Sequence, residues 1–277
     1  MALITADAAG PARASMRVLG SARLHRVGVL IGLLLLWEVV AAGRLLGVSD
    51  QHFPRFSTVA LAFWRMLADG ELTMATLETL RAYAQGFVLA VVVGVVGGVA
   101  LGRLRFLARA LMPTIEFLRP MPSVALIPIA VLFLGIGEEM QRIVAMYAAV
   151  WPVLLGTMYG VRGVDPILLQ TARQFGLSRR RTLFKIVLPG ASPYIATGVR
   201  LASLITLSLI ITTELMASGN GLGNVIVEYQ LAFKAAEAYA GIVMVVILGY
   251  ANFLATSQIE RRLMRWHNRL AAMKTNR

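Results

Sequence analysis

Long, almost continuously apolar stretches limit what this chain can fold into. A helix crosses a bilayer core with roughly 20 apolar residues, and several stretches reach that length, whereas the alternating pattern of a barrel strand is absent. Hydrophobic residues make up 58% of the chain and the mean hydropathy is +0.72, which is too apolar for a soluble domain. The sequence therefore predicts an all-α, polytopic membrane protein. Its six transmembrane helices are predicted at residues 27–46, 82–101, 107–134, 143–161, 194–213 and 239–256.

The basic and acidic side chains fall in different connecting segments. Most of the 27 Lys and Arg lie before the first span, between the second and third, between the fourth and fifth, and after the sixth. Glu78, Glu138 and Glu237 lie in the other connections. Because positive charge favours the cytoplasmic side, both termini are predicted to be cytoplasmic. The expected organisation is a tail at 1–26, a transmembrane domain at 27–260 and a tail at 261–277.

The formal net charge of +13 raises the question of nucleic acid binding. The charge is spread over every predicted cytoplasmic segment, as anionic lipid favours, and no platform of base-stacking aromatic residues accompanies it. Nucleic acid is therefore not an expected partner. The chain has no Cys, and its three His, at 25, 52 and 267, are scattered. We therefore expect no thiolate chemistry and no metal site.

The second predicted span carries Gly86, Gly94, Gly97 and Gly98. Glycines in a transmembrane helix allow the backbone of a neighbouring helix to come close. We expect these four residues to mark a tight helix contact rather than a ligand site.

The third predicted span is interrupted by prolines and by a charge. Pro120 and Pro122 follow Arg119 directly, in the middle of the crossing. Broken backbone at membrane depth is tolerated where it is buried in protein or lines a watery cavity. Two interpretations are equally open: a kinked helix in which Arg119 pairs with a neighbour, or the wall of a translocation pathway. The pathway candidates here are Arg119, Pro120, Met121, Pro122 and Ser123.

Arg200 and Glu214 are further pathway candidates, because ionisable residues in membrane spans usually face a bundle interior or water. Arg200 lies near the start of the fifth predicted span and Glu214 at its end. Glu214 is expected to be solvated at the membrane interface. The glycine-rich turn after it, at 217–224, is interpreted as a re-entrant or hinge element.

A charged island at 170–189 interrupts the apolar pattern. Asp165 and Pro166 are typical of a helix start, and Gly176 offers a left-handed stop. Leu168, Ala172 and Phe175 are predicted to share one face of that helix. Ser178 is predicted to cap a second short helix that carries Arg179 to Lys185 and is closed off by Pro189 and Pro193. Such a knob either docks a partner or lies in lipid headgroups as an interfacial helix.

The island resembles a known sequence element. Gln170-Thr171-Ala172-Arg173, then Gly176, then Ile186-Val187-Leu188-Pro189 look like the EAA loop of the permease subunits of ATP-binding-cassette (ABC) importers. Gln170 and Thr171 depart from the usual Glu and Ala. Further motifs resemble the nitrate, sulfonate and taurine branch of these permeases: Arg119-Pro120-Met121-Pro122, Leu126-Ile127-Pro128, Gly135-Ile136-Gly137, Gly198-Val199-Arg200, and Glu214 followed by Gly221-Leu222-Gly223.

The resemblance implies a fold and a set of partners. The fold would be the type I ABC importer permease fold, with cytoplasmic coupling helices in the loop at 162–189, in the bacterial inner membrane. The partners would be a second copy of the permease, two cytoplasmic ATPase subunits and an extracytoplasmic solute-binding protein. ATP and Mg would be bound by the ATPases, and this chain would bind no cofactor. It contains no GxxxxGK[ST] loop and is expected to be non-catalytic.

The resemblance also implies roles for particular residues. Contact with the ATPase is expected at Leu168, Gln170, Thr171, Ala172, Arg173, Phe175, Gly176, Arg180, Leu188 and Pro189. The leading substrate prediction is an oxyanion such as a sulfonate, taurine or nitrate, with Arg119 attracting the anion. A neutral or aromatic solute or a vitamin precursor stays open as the substrate. A secondary transporter is the competing class, although it would be expected to show more midplane carboxylates and an internal repeat.

Overall fold

The computed structural model describes residues 28–29, 31–43, 52–217 and 219–263, and the regular elements in these ranges are all helices. The tail predicted at 1–26 lies outside the described residues, and so do residues 264–277 of the tail predicted at 261–277, whose first three residues are helical. The helices are α1 Ile31–Ala42, α2 Phe56–Ala68, α3 Glu71–Arg103, α4 Arg105–Leu118, α5 Ile127–Leu134, α6 Glu138–Arg162, α7 Pro166–Gln174, α8 Arg179–Thr182, α9 Leu188–Ala217, α10 Leu222–Leu231 and α11 Ala235–Leu263. A 3₁₀ turn, Ser123–Leu126, precedes α5, and a π turn, Leu183–Val187, precedes α9.

The described residues contain four helical stretches that are long and apolar enough to cross a membrane. They are α3, α6, α11 and the stretch Arg179–Leu231, which includes α9. The bent pair of α4 and α5 makes a fifth if it counts as one span, and α1 and α2 are shorter apolar helices. The all-α fold is confirmed, but four or five spans in the described residues leave the predicted six as a prediction.

Two helices differ from the sequence prediction near the start of the described bundle. α3 begins at Glu71 rather than at residue 82, because polar residues such as Glu78 and Thr79 continue the helix beyond the apolar stretch. α2 was not predicted. It is short and amphipathic, and it buries Val59, Ala62 and Met66 against the rest of the protein.

α3, α6 and α9 form the centre of the bundle and pack through small residues. A Cβ atom added at Gly98 would lie 2.5 Å from the carbonyl oxygen of Leu154 in α6, and one at Gly198 of α9 would lie 2.6 Å from that of Pro152. The expected close contact is confirmed for Gly86, Gly94 and Gly98, whereas an added Cβ at Gly97 would meet only the flexible side chain of Leu154. Close backbone approach gives these helices a large van der Waals contact that lipid cannot replace.

Polar side chains tie α9 to its neighbours within the bundle. The hydroxyls of Tyr83 in α3 and Ser203 in α9 are 2.8 Å apart, and both donate to Oδ1 of Asn252 in α11, at 3.1 and 2.9 Å. Since no water is available at membrane depth, such groups must satisfy one another. These hydrogen bonds fix the positions of α3, α9 and α11 relative to one another.

The charged residues separate to the two ends of the bundle. At one end, which we call the acidic end, Arg81 of α3 lies 3.8 Å from Glu138 of α6, among Glu71, Glu78 and Glu139. At the opposite end, which we call the basic end, Nη2 of Arg162 donates to the carbonyl of Leu101 at 3.1 Å. The basic end also carries α7 and α8. The predicted division of charge between connections is thus a division between two ends of the folded chain.

Candidate functional site

The loop at the basic end contains the helix that the sequence predicted. Oδ1 of Asp165 accepts a hydrogen bond from the amide of Ile167 at 2.8 Å, and Pro166 occupies the first turn of α7. The helix ends where Leu177 N donates to Ala172 O and Gly176 N donates to Arg173 O, each at 3.0 Å. This pair of bonds is a Schellman motif, and the φ of +67° at Gly176 completes it. The predicted start and left-handed stop are both confirmed.

The outer surface of this loop carries exposed apolar side chains. Phe175 is 79% exposed, and Ile167, Leu168 and Phe184 in the same loop are exposed as well. An apolar group of this kind, rimmed by arginines at the end of a bundle, is a typical interaction surface. We call it the loop patch (Ile167, Leu168, Phe175 and Phe184).

Ala172 does not belong to the loop patch. It is 1% exposed, because its side chain points into the protein, while Leu169 on the same helix packs on the cluster around Val161 and Val187. Ala172 was predicted to share one helical face with Leu168 and Phe175, but the structure buries Ala172 and exposes the other two. The small side chain lets α7 lie close to the bundle. The other predicted contact residues are exposed except Leu188, which is half-buried: Leu168, Gln170, Thr171, Arg173, Phe175, Gly176, Arg180 and Pro189.

The second helix of the loop differs from its prediction. Ser178 Oγ accepts from the amide of Arg181 at 3.4 Å, so the predicted cap is present. However, Pro189 and Pro193 do not close the helix off. The chain passes through the π turn, where Leu188 N donates to Leu183 O, directly into α9. The wider turn precedes Pro189, whose ring cannot continue the normal bonding pattern, so helical structure runs from the loop into the membrane.

The third predicted span is broken into two helices. α4 ends at Leu118, and the following helical pair 123–134 is inclined to it by 88°. The carbonyl of Leu118 accepts from the hydroxyl of Tyr147 in α6 at 2.8 Å and from the amide of Met121 at 3.1 Å, so α6 is tied to the end of α4. We call residues 119–123 the break. The prolines thus end the helix rather than kink it.

The residues of the break lie at the surface of the single chain. Arg119, Pro120, Met121 and Pro122 are exposed and Ser123 is half-buried. Arg119 forms no ion pair with any residue that the structure describes. The alternative in which Arg119 is paired within its own chain therefore has no support among the described residues. An exposed cation inside a predicted membrane span requires water or a second protein surface beside it.

Arg200 is placed away from the break, at the contact of α9 with α11. Nη1 of Arg200 lies 2.7 Å from Oε2 of Glu260, and its guanidinium carbon lies 5.3 Å from the centroid of the Phe253 ring. Since this charge is already paired, the position favours a helix tie over a role in the pathway. Glu260 was missed by the sequence analysis. The apolar stretch of the sixth span ends before it, although a carboxylate there was a possible partner for Arg200.

Glu214 is placed in the interior at the acidic end. It is 2% exposed, and Oε2 accepts from Thr79 Oγ1 at 3.0 Å and from Gly223 N at 2.9 Å. The expectation that Glu214 is solvated at the interface is wrong. Its carboxylate is taken up by the first turn of α10, which argues against contact with a passing solute.

The start of α10 is held by three consecutive amides. Gly221 N donates to Glu78 Oε2, Leu222 N to Thr79 Oγ1 and Gly223 N to Glu214, all at 2.9 to 3.0 Å. We call this arrangement the α10 lock. The expected hinge after the fifth span is therefore a fixed junction of α3, α9 and α10. Sequence reasoning missed Glu78 and Thr79 because it placed both in an outer loop.

No group of three or more His, Asp or Glu in the described residues is placed to hold a metal ion. The predicted site residues are concentrated in two features, the loop patch and the break.

Comparisons with known proteins identify the family of the chain. Residues 86–265 match the family described as binding-protein-dependent transport system inner membrane component. The chain is 30% identical over 247 residues to the taurine transport system permease protein TauC of Escherichia coli, covering 87% of this chain and 89% of that protein. It is 29% identical to the putative aliphatic sulfonates transport permease protein SsuC of Bacillus subtilis, covering 88% and 90%. It is 32% identical to the bicarbonate transport system permease protein CmpB of Synechocystis, covering 69% and 70%.

A solved structure shares the fold. A chain of the MetNI methionine ABC transporter in inward-facing conformations matches with a TM-score of 0.53 and 20% identity, over 78% of this chain and 99% of that one. The helices described above therefore have the arrangement predicted from the resemblance, that of a type I ABC importer permease.

Proposed function

The chain belongs to the family of binding-protein-dependent transport system inner membrane components, and on that premise we propose that two copies form the membrane pathway of an importer for small oxyanions. It is a non-catalytic permease subunit of an ABC transporter. ATP hydrolysis with Mg takes place on two partner ATPases, and an extracytoplasmic solute-binding protein delivers the solute. The permease is located in the bacterial inner membrane, and its basic end faces the cytoplasm.

The loop patch is the observation that carries this proposal. Apolar side chains left in water at one end of a membrane bundle cost free energy unless a partner covers them. Leu168 lies in α7 and Phe175 at its C-terminal cap, and the helix is fixed at both ends by Asp165 and Gly176. A groove on each ATPase is the proposed partner, with Gln170, Thr171, Arg173 and Arg180 at the rim. Since helical structure continues through the π turn into α9, motion of the ATPase would reach the membrane through one element.

Co-purification tests this docking. The variant Phe175→Glu places a charge on the loop patch without disturbing the interior, because the side chain is exposed. We expect the ATPase to be lost from the purified permease. Leu231→Glu is the matched control, since Leu231 is similarly exposed at the acidic end, and it should retain the ATPase. Equal ATPase content in both variants, or uptake by the chain alone in liposomes, would rule out the proposal.

The break is proposed as part of the pathway wall. In the single chain the exposed Arg119 has water or lipid beside it, and lipid is excluded by the cost of an unpaired charge at this depth. A second copy facing the break would enclose a watery space. The two Arg119 side chains would then give this space a positive potential that attracts anions.

The relatives support the same class of substrate. Sulfonates, taurine and bicarbonate, which appear in the names of the similar permeases, all carry an oxyanion group. An Arg guanidinium suits such groups, because its planar donors match two oxygens at once. We therefore propose a sulfonate, taurine or a comparable small oxyanion as the solute.

Uptake measurements on Arg119→Gln test the role of this charge. With the complex in proteoliposomes, we expect uptake of taurine, an alkanesulfonate and bicarbonate to fall about tenfold or more, as for the loss of a charged contact. Arg142→Gln is the control, because Arg142 lies in α6 at the acidic end, 3.9 Å from Glu139. Unchanged uptake of all three anions by Arg119→Gln would remove Arg119 from the pathway.

The proposed orientation has a direct test, because the chain has no Cys. A single cysteine at Ser178, on the basic end, should resist a membrane-impermeant maleimide in intact cells. A single cysteine at Leu231, on the acidic end, should react. The reverse pattern would place the loop patch outside the cell, where no ATPase is available.

A further inference from the structure

The turn between α10 and α11 contains an unusual backbone conformation. Phe233 has a φ of +57° and is the only non-glycine residue with positive φ in the ranges 28–29, 31–43, 52–217 and 219–263. Its amide donates to Gln230 O at 3.1 Å and that of Lys234 to Tyr229 O at 2.9 Å, which is a Schellman stop like the one at Gly176. A bulky residue is costly in this conformation, where glycine is not.

Contacts with the interior do not offset the free-energy cost of the Phe233 backbone. It is 73% exposed, so burial within the chain does not compensate for the backbone conformation. A strained residue at the surface persists where the side chain itself is needed, and strain of this kind concentrates at functional sites. An exposed aromatic ring on a rigid turn is a typical centre of a protein interface.

A pocket lies beside the Phe233 ring. It has a volume of about 410 Å³ and lies between the start of α2 and the start of α11. Two exposed cations, Arg55 and Lys234, line it together with Thr58, against the single half-buried carboxylate of Glu237. The lining itself therefore carries a net positive charge, although this end of the bundle is acidic and Glu38 lies close enough to Arg55 to interact with it.

The walls of the pocket are fixed before any partner arrives. The carboxylate of Glu38 in α1 accepts from Ser57 N at 3.0 Å and from Ser57 Oγ at 2.8 Å, which holds the start of α2. The ammonium of Lys234 lies 5.7 Å from the centroid of the Tyr229 ring, and Tyr229 OH donates to Glu71 Oε2 at 2.9 Å. A rigid surface loses little entropy on binding, which favours affinity.

We infer that this surface, which we call the Phe233 patch (Arg55, Thr58, Phe233 and Lys234), is where the solute-binding protein docks, with an acidic edge of that protein in the pocket. The inference rests on the proposed function, in which such a partner approaches the end opposite the loop patch. The charge favours an acidic protein surface. The ring supplies apolar contact beside it.

The patch also connects to the rest of the permease. α10 begins at the α10 lock, where Glu78, Thr79 and Glu214 bind the amides at its start, and ends at Leu231, two residues before Phe233. A partner at the Phe233 patch would therefore bear on α3 and α9 through a short, fixed helix. A displacement of this turn can reach α3 and α9 through α10 alone.

The variant Phe233→Gly separates docking from folding. Because glycine adopts positive φ without strain, we expect the melting temperature of the permease–ATPase complex to stay the same or rise. In nanodiscs, the Kd of the solute-binding protein, measured without added solute, should rise roughly tenfold or more, as for a lost interface anchor. The double variant Arg55→Glu, Lys234→Glu should also weaken binding, and the weakening should diminish at high salt.

Leu231→Ala is the matched control, because Leu231 is 74% exposed, two residues away, and does not line the pocket. It should bind the solute-binding protein like the wild type. Equal losses in Leu231→Ala and Phe233→Gly would assign the ring to the lipid interface. Dissociation of the permease pair by Phe233→Gly would assign it to the second copy. Either result overturns the inference.

A further outcome concerns the premise. If the wild-type complex retains its ATPase and binds the solute-binding protein, but Phe233→Gly binds equally well, only the docking position is wrong. If the wild type retains no ATPase and binds no solute-binding protein, the proposed function fails together with the inference.

Discussion

The helices that end before Gly176 and Phe233 stop through the same pattern of hydrogen bonds. The two stops lie at opposite ends of the bundle, and a different type of residue occupies the left-handed position in each. At the basic end a glycine occupies the left-handed position, and an added Cβ would find nothing within 4 Å. At the acidic end a phenylalanine occupies the equivalent position at φ +57°. The stop at Gly176 ends its helix without backbone strain, because glycine adopts positive φ freely. The second shows that the side chain has a use that outweighs the cost of its backbone.

The ends also differ in how they are held. The α10 lock joins three helices through buried, mutually satisfied polar groups. The loop patch leaves its apolar side chains in solvent. We therefore expect changes in the lock to alter stability and changes in the loop patch to alter partner binding.

The largest loss of stability is expected for Glu214→Ala. The change leaves Gly223 N and Thr79 Oγ1 buried without their acceptor, which should lower the free energy of unfolding by about 3 kcal/mol. Thermal unfolding of the purified permease in detergent measures this loss. Glu214→Gln, which retains an acceptor oxygen, should lose less. A wild-type melting curve for Glu214→Ala would mean that the lock does not hold this end.

Alanine at Gly223 and at Gly176 compares the two ends directly. A Cβ at Gly223 would lie 2.5 Å from Cβ of Glu214 and 2.8 Å from Ile211 O. We expect Gly223→Ala to cost about 2 kcal/mol through overpacking. Gly176→Ala should cost about 1 kcal/mol, from its left-handed backbone alone. Denaturant titration of both variants checks the order, and a larger loss at Gly176 would contradict the contrast between crowded and open ends.

Phe233→Gly should gain stability, by about 0.5 to 1 kcal/mol, because it relieves the left-handed conformation of a bulky residue. The melting temperature of the permease without its partners reports this gain. A loss of stability would show that the ring packs within the chain more than its exposure indicates.

Phe175→Ala should have the smallest effect on stability, within about 0.5 kcal/mol, since an exposed surface substitution removes little packing. Its effect should appear instead in the affinity for the ATPase, measured by binding of the purified subunits. A large drop in melting temperature with unchanged ATPase binding would reverse the roles of the two ends.

Local patterns predicted the loop at the basic end better than the turn at the acidic end. Asp165-Pro166 and Gly176 carry their conformational preferences in their own chemistry, so the start and stop of α7 were predictable. The stop at Phe233 was not, because nothing in the residue type indicates left-handed backbone. The burial of Ala172 beside the exposed Leu168 and Phe175 was not predictable, because helical spacing gives the relation between residues but not which side meets the bundle.

The charged residues show the same limit. The sequence identified Arg119, Arg200 and Glu214 as unusual, but it assigned all three to the pathway. The structure pairs Arg200 with Glu260 across 60 positions of sequence and buries Glu214 against Thr79. Such partners are distant along the chain, and no local pattern identifies them. Only Arg119 stays exposed at a break.

The sequence by itself determined the all-α membrane class, the separation of charge and the loop between α6 and α9, because hydropathy, charge and helix capping are properties of neighbouring residues. Tertiary structure alone decided which polar groups are satisfied internally and which stay available to partners. That distinction depends on distances between helices, which are set when α3, α6 and α9 pack. The same packing leaves Phe175 and Phe233 exposed at opposite ends of the bundle. It also brings together the buried residues of the α10 lock.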